Sequence, residues 1–172
     1  MSLKNKINIF IVDDDKIFRL ALIENIKSAF KKLPVIIYPF ETGEECMEKF
    51  NIIQPDVVIL DYHLNSKYPD AADGIQVLDR IKKENPETNV IMLTIDDNMD
   101  VALTSFHHGA VDYVVKKTET QFKKINQSLL NLFKMMEAQS YEKRYKQLIT
   151  VVYVCIAILI GAIIAVRISY YR

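Results

Sequence analysis

Five short runs rich in Val, Ile and Leu, each followed by a stretch of helical spacing, constrain the fold more than any other feature. The runs lie at 7–12, 35–40, 56–60, 89–94 and 111–116. After the first run, Phe18, Leu22, Ile26 and Phe30 recur at four-residue steps, as one face of a helix does. Strands that alternate with helices over short connections form a parallel sheet with helices on both faces. The pattern therefore predicts a doubly wound, five-stranded α/β domain.

Local signals also predict where the helices begin and end. Asp15 is placed to cap the first helix, and Thr42 with Glu45 forms a capping box for the second. Pro34 is expected to stop the first helix, which the pattern predicts from Lys16 to about residue 32. The second helix is expected to run to about residue 50, and the last helix to begin near residue 118 or 119.

Residues that carry chemistry follow four of the predicted strands. They are Asp13, Asp14, Asp15, Asp61, Thr94 and Lys116. Ligands of open α/β sheets bind outside the carboxyl ends of the strands, so these side chains are expected to face one crevice. Clustered carboxylates favour a hard divalent cation such as Mg²⁺, and an aspartate can act as a nucleophile that accepts a phosphoryl group. Each residue taken alone also has a structural interpretation, such as a helix cap, whereas the combination favours the functional one.

Residues 7 to 133 resemble the response-regulator receiver domain of two-component signalling, the CheY-like family. The matching segments are FIVDDD at 10–15, VVILDYHL at 57–64, the DG pair at 73–74, VIMLT at 90–94 and GAVDYVVKK at 109–117. The resemblance implies a flavodoxin-like sheet with strand order 2-1-3-4-5. It covers about three quarters of the chain.

The resemblance also implies a role for each matched residue. Asp61 is the expected phospho-acceptor, and Thr94 and Lys116 are expected to hold the phosphoryl oxygens. The expected Mg²⁺ ligands are Asp13, Asp14, Asp61 and the backbone carbonyl of His63. Thr94 and Tyr113 are the expected switch residues, and the His63 side chain and Asp96 occupy positions that tune the lifetime of the acyl phosphate. The expected donor is a sensor histidine kinase or a phosphotransfer protein.

Two other functions stay open at this point. Ile95 and Lys117 depart from the family pattern, so the chain is alternatively a receiver-fold adaptor or scaffold that is never phosphorylated. An acid-phosphatase-like activity of Asp61 lacks an evident second general acid and a substrate domain. We therefore expect no enzyme beyond self-phosphorylation and slow autodephosphorylation.

The segment 148–166, LITVVYVCIAILIGAIIAV, has 19 residues and no charge. A helix of that length covers close to the ~30 Å of a bilayer's hydrocarbon core. Basic residues and tyrosines flank the segment, which favours a transmembrane helix over a buried helix or one packed in an oligomer. We expect a receiver domain at 1–133, a helical juxtamembrane linker at 134–147, a transmembrane helix at 148–166 and a short tail at 167–172.

Charge and spacing bound the expected partners. Residues 1–147 hold 20 basic and 22 acidic residues once Arg167 and Arg172 are set aside, so we expect no nucleic-acid partner. The basic cluster before the apolar segment predicts a single pass through the inner (cytoplasmic) membrane with the receiver domain in the cytoplasm. Apolar residues from Phe122 to Met136 at steps of three and four are also compatible with a short homodimeric coiled coil. The downstream protein is not identified by the sequence.

Overall fold

A computed structural model describes residues 6–64, 72–95, 98–116 and 120–170, without the side chains of ten residues from 143 onward. Strands and helices alternate along the chain. They are β1 (Ile7–Val12), α1 (Lys16–Ala29), β2 (Val35–Phe40), α2 (Gly43–Ile53), β3 (Val57–Asp61), α3 (Gly74–Glu84), β4 (Asn89–Thr94), α4 (Met99–His107), β5 (Asp112–Val115) and α5 (Gln121–Tyr170). The five strands form one parallel sheet in the order β2-β1-β3-β4-β5. Both the predicted fold and the predicted strand order are confirmed.

The helix starts follow the predicted caps. The Asp15 side chain accepts hydrogen bonds from the backbone N–H groups of Ile17 and Phe18, at 2.8 and 3.1 Å. The Thr42 hydroxyl accepts one from the N–H of Glu45 at 3.3 Å. Each cap pairs an N–H group that has no partner within its own helix, which is why these residue types begin helices.

The helix ends differ from the predictions by a few residues. α1 ends at Ala29 rather than near residue 32, because the chain turns before Pro34, with the N–H of Leu33 bonded to the Phe30 carbonyl. α2 runs on to Ile53, three residues past the predicted end. Gln54 caps it in the left-handed conformation (φ 53°), and Pro55 follows. Such ends depend on turns that the apolar pattern does not encode.

The central strands are buried on both faces. All five residues of β3 are buried, whereas β2, at the edge of the sheet, is only half-buried. A core cluster lies on one side of the sheet and includes Phe10, Leu60 and Met92 from the strands with Phe50 and Leu78 from α2 and α3. This double-sided packing makes the sheet a rigid support for whatever follows each strand.

The chain divides into two compact units, Ser2–Leu132 and Phe133–Arg172. Within the second unit, large apolar side chains are exposed, among them Val152 (55%), Tyr153 (69%) and Ile158 (65%). Nothing in the structure tests the four predicted segment boundaries, which stay predictions.

The predicted transmembrane helix over 148–166 is not supported. Among the residues that the structure describes, no helix has both the length and the apolar character needed to cross a bilayer. Six side chains of that segment, at 159, 160, 162, 163, 165 and 166, lie outside the description.

Candidate functional site

Parallel pairing brings Asp13 and Asp61 to the same edge of the sheet. Val12 pairs with Leu60 across β1 and β3; Asp13 follows Val12 directly after β1, and Asp61 follows Leu60 as the last residue of β3. Asp13 is fully buried and Asp61 is 4% exposed. Two carboxylates thus lie next to each other with little access to water.

Lys116 connects the two aspartates. Its Nζ lies 2.8 Å from Asp13 Oδ2 and 2.7 Å from Asp61 Oδ2, and its side chain is 10% exposed. The backbone N–H of Lys116 donates a 2.7 Å hydrogen bond to the carbonyl of Thr94, which fixes the lysine directly after β5. The structure therefore brings together the predicted acids of β1 and β3 and the predicted amine of β5.

The charges of this cluster perturb one another. Burial raises the pKa of Asp13 from its ordinary 3.8 to about 6, although the charge of Lys116 acts in the opposite direction. Burial by itself would lower the pKa of Lys116, but the charges of Asp61 and Asp13 outweigh it, so that pKa is raised. At neutral pH the ammonium is charged, and the desolvation cost of the ionised Asp13 is only partly compensated.

Backbone groups hold the two aspartates in place. Asp13 Oδ1 accepts a hydrogen bond from the N–H of Asp15 at 2.9 Å, and Asp61 Oδ1 accepts one from the N–H of His63 at 3.3 Å. Gly74 packs so closely under the β3 terminus that a Cβ there would lie 2.2 Å from the Asp61 carbonyl oxygen. The glycine is required because no larger residue leaves room for this approach.

The predicted switch residues occupy β4 and β5. Thr94 is the last residue of β4 and is fully buried, and it pairs with Val115. Tyr113 pairs with Met92, is half-buried and packs against the core cluster. Their roles, and that of the half-buried His63 and its carbonyl, stay predictions. Asp96 and Lys117 lie outside the described residues.

The acidic cluster fits a divalent cation. Side-chain oxygens of Asp13, Asp14 and Asp61 all lie within 4.8 Å of one another. Among the described residues, Asp13 Oδ2 is a buried oxygen that forms an ion pair with Lys116 Nζ at 2.8 Å and accepts no other hydrogen bond. Three carboxylates and one ammonium leave two formal negative charges, which Mg²⁺ would neutralise with the oxygen ligands that it prefers.

Sequence reasoning missed three residues beside the site. Arg19 donates to the backbone carbonyl of Asp13, Phe18 lies with its ring centroid 4.9 Å from Lys116 Nζ, and Phe122 stacks on Phe18. Phe18 does recur with Leu22 and Ile26 at helical spacing. That spacing predicts a core face and says nothing about a lysine nearly 100 residues away, so no signal in the sequence identified the contact.

Comparisons with known proteins agree on one family. The model of the family described as "Response regulator receiver domain" matches residues 9–128. The DNA-binding transcriptional regulator NtrC of Proteus hauseri is 32% identical over 109 residues, which is 63% of this chain and 21% of NtrC. The luminescence regulatory protein LuxO of Vibrio campbellii is 33% identical over 78 residues, 45% of this chain and 16% of LuxO.

Solved structures are similar over the same region. The BeF₃-activated receiver domain of DrrB, a protein of Thermotoga maritima, superposes with a TM-score of 0.61 at 27% identity, covering 76% of this chain and 99% of that domain. A signal receiver domain from Vibrio parahaemolyticus superposes with a TM-score of 0.65 at 24% identity, covering 79% and 96%. The chain spans about a fifth of the curated relatives' length.

Proposed function

We propose that this chain, which belongs to the response regulator receiver domain family, accepts a phosphoryl group on Asp61 from a phosphohistidine of a sensor kinase or phosphotransfer protein. The observation that carries the proposal is the contact of one ammonium, Lys116 Nζ, with the carboxylates of Asp13 and Asp61 at 2.8 and 2.7 Å. Such an arrangement positions a nucleophile and supplies charge where phosphoryl oxygens gather in the transition state.

The transfer makes one bond and breaks one. A carboxylate oxygen of Asp61 attacks phosphorus, the phosphorus–nitrogen bond to the donor imidazole breaks, and its electron pair stays on that nitrogen. Lys116 balances the negative charge of the phosphoryl oxygens, and the Thr94 hydroxyl donates to one of them. Mg²⁺, held by Asp13, Asp14, Asp61 and the His63 carbonyl, would supply further positive charge when bound. Hydrolysis of the acyl phosphate is slow, so the chain is a signalling receiver rather than an enzyme with turnover.

The signal is proposed to leave the site through Thr94 and Tyr113. Thr94 moves toward the phosphoryl group, and the half-buried Tyr113 turns inward behind it. This alters the surface of α4, β5 and α5, to which a downstream protein binds. The relatives named above include a DNA-binding regulator, but the zero net charge of this chain favours a protein partner over nucleic acid.

The test is phosphorylation of the full chain by acetyl phosphate with Mg²⁺, followed by intact mass and a phosphate-affinity gel. We expect one phosphoryl group on the wild type and none on Asp61→Asn. Asp56→Asn is the matched control, because Asp56 lies just before the same strand, at the opposite edge of the sheet. If Asp56→Asn is phosphorylated and Asp61→Asn is not, the acceptor is assigned.

The adaptor function is the second candidate. It is favoured by the bulky Ile95, which directly follows Thr94 and whose side chain is 45% exposed. It predicts no modification of the wild type by acetyl phosphate or by a kinase, and no effect of beryllofluoride on the unfolding temperature. The acid-phosphatase function is tested in the same experiment, since steady release of phosphate from a simple ester would reveal it.

We also propose that the C-terminal segment attaches the chain to the inner membrane with the receiver unit in the cytoplasm. The described residues contain no spanning helix, so this proposal rests on the uncharged sequence over 148–166 and on exposed apolar side chains such as Val152 and Ile158. Full-length chain should pellet with membranes after a carbonate wash, and Ile158→Arg should reduce that fraction. Recovery of the wild type in the supernatant would contradict it. Cross-linking in the same preparation tests the homodimer.

A further inference from the structure

Two aromatic rings form a stacked pair beside the phospho-acceptor site. Phe18, in the first turn of α1, and Phe122, in the first turn of α5, have ring centroids 5.7 Å apart and ring planes inclined by 24°. Both side chains are half-buried. The pair thus joins the first turn of α1 to the first turn of α5. Unlike core side chains, both rings are only partly enclosed.

The ammonium of Lys116 lies against this pair. Its Nζ is 4.9 Å from the centroid of the Phe18 ring and also contacts the carboxylates of Asp13 and Asp61. A lysine side chain has a flexible stem of four carbons, so contacts with two carboxylates alone leave its ammonium considerable conformational freedom. An aromatic face within about 6 Å attracts a cation and restricts where it lies.

The backbone that carries the Phe18 ring is held by local hydrogen bonds. The backbone N–H of Phe18 donates a 3.1 Å hydrogen bond to Asp15 Oδ1. The N–H of Asp15 in turn donates to Asp13 Oδ1 at 2.9 Å. These hydrogen bonds connect the buried acid at the end of β1 to the first turn of α1, which carries the aromatic ring.

We propose that Phe18 and Phe122 are positioning residues for phosphoryl transfer: the Phe18 ring holds the Lys116 ammonium between Asp13 and Asp61, and Phe122 holds that ring. The pair also links the state of the site to the first turn of α5. This inference rests on the proposed function of Asp61.

The first experiment measures the rate of phosphorylation of the full chain by acetyl phosphate with Mg²⁺. Phe18→Leu keeps an apolar side chain but removes the aromatic face, and we expect the rate to fall by about three- to tenfold. Phe18→Tyr and Phe18→Trp should restore it to within twofold. Phe30→Leu is the matched control, because Phe30 caps the far end of α1, and it should leave the rate unchanged.

Phe122 is tested by a double-mutant cycle. Phe122→Leu should slow phosphorylation less than Phe18→Leu does, since it acts only through the ring of Phe18. The double variant should be no slower than Phe18→Leu alone, because the effects of two substitutions that act through the same contact do not add. Additive losses would show that each residue acts separately and would overturn the linked role.

The second experiment needs no phosphoryl donor. Trace labelling of lysines with acetic anhydride, read by peptide mass spectrometry, should modify Lys116 several-fold faster in Phe18→Leu than in wild type, Phe18→Tyr or Phe30→Leu. Equal labelling and equal phosphorylation rates in Phe18→Leu and wild type would overturn the proposal. A wild type that labels as expected but takes up no phosphoryl group would overturn the proposed function and support the positioning role.

Discussion

Buried polar groups are paired differently at the two ends of the strands. We call the side of the sheet where the strands begin the amino edge and the side where they end the carboxyl edge. At the amino edge, Asp56 accepts a 2.8 Å hydrogen bond from the N–H of Asn8, and the Thr88 hydroxyl donates to the Pro55 carbonyl at 3.1 Å. Lys82 donates to the Thr88 carbonyl at 2.7 Å. Charged and polar groups there are paired mainly with backbone, which is what stability requires.

At the carboxyl edge, like charges are gathered together. Asp13, Asp14 and Asp61 place oxygens within 4.8 Å of one another, and Lys116 compensates only part of their charge. A fold gains no stability from such crowding, since buried like charges repel and lose hydration. Such crowding is typical of a site that a cation completes, and the contrast can be tested with paired substitutions at the two edges.

The largest expected difference is between the two lysines. Lys116→Met should slow phosphorylation by acetyl phosphate about a hundredfold, because it removes the preorganised positive charge beside the proposed acceptor, Asp61. Lys82→Met should leave that rate within twofold and cost only about 1 kcal/mol of stability through its lost hydrogen bonds. Rates from phosphate-affinity gels and unfolding in urea measure the two effects. A normal rate in Lys116→Met would remove the functional distinction between the edges.

The pH dependence of stability should differ between substitutions of Asp13, at the carboxyl edge, and Asp56, at the amino edge. The pKa of Asp13 is about 6 in the folded chain, against an ordinary value of 3.8. The unfolded chain therefore loses this proton at a lower pH than the folded chain, so the free energy of unfolding falls as pH rises from about 4 to 6. In EDTA at pH 7, Asp13→Asn should be more stable than wild type by up to about 3 kcal/mol, a gain that disappears near pH 4. Urea unfolding across that range measures it.

Asp56→Asn is the control for that experiment. Burial also raises the pKa of Asp56, but the carboxylate is only partly buried and its hydrogen bond from Asn8 opposes the rise. We therefore expect a smaller gain in stability than for Asp13→Asn. A larger gain in Asp56→Asn would mean that the amino edge, and not the carboxyl edge, holds the costly charge.

Two glycines provide the next comparison. Gly74→Ala places a Cβ 2.2 Å from the Asp61 carbonyl oxygen, so β3 or α3 must shift, at a cost of about 1–3 kcal/mol. Gly109, near Lys82, has φ +96°, and alanine there should cost about 1–2 kcal/mol through backbone strain. Both variants should unfold at a lower temperature than wild type, but only Gly74→Ala should slow phosphorylation. Equal rates in the two variants would show that the β3 terminus tolerates displacement.

The smallest expected effect is that of Mg²⁺ on unfolding. At a concentration ten times its dissociation constant, a bound ion adds about 1.4 kcal/mol to the free energy of unfolding. Calorimetry with Mg²⁺, against NaCl of equal ionic strength, should show this gain in wild type and in Asp56→Asn. The gain should vanish in Asp13→Asn, and its persistence there would place the ion elsewhere.

Much of the fold was predictable because its signals are local. The five apolar runs, the Asp15 and Thr42 caps and the stop before Pro34 each act over a few residues. The positions of Asp61 and Lys116 at strand ends follow from the same signals. The ends of α1 and α2 were predicted less well, since turns such as the Leu33 bond to Phe30 are set by tertiary packing.

The amino-acid sequence by itself determined the order of strands and helices and which chemical groups stand at the ends of the strands. Only the tertiary structure decided that one ammonium contacts both Asp13 and Asp61, that Asp13 is fully buried, and that Phe18 lies against Lys116. The reason is one of range. Caps and periodicity depend on neighbours in the chain, whereas distances between residues about 50 to 100 positions apart are set by how the strands pair and how the helices pack on them.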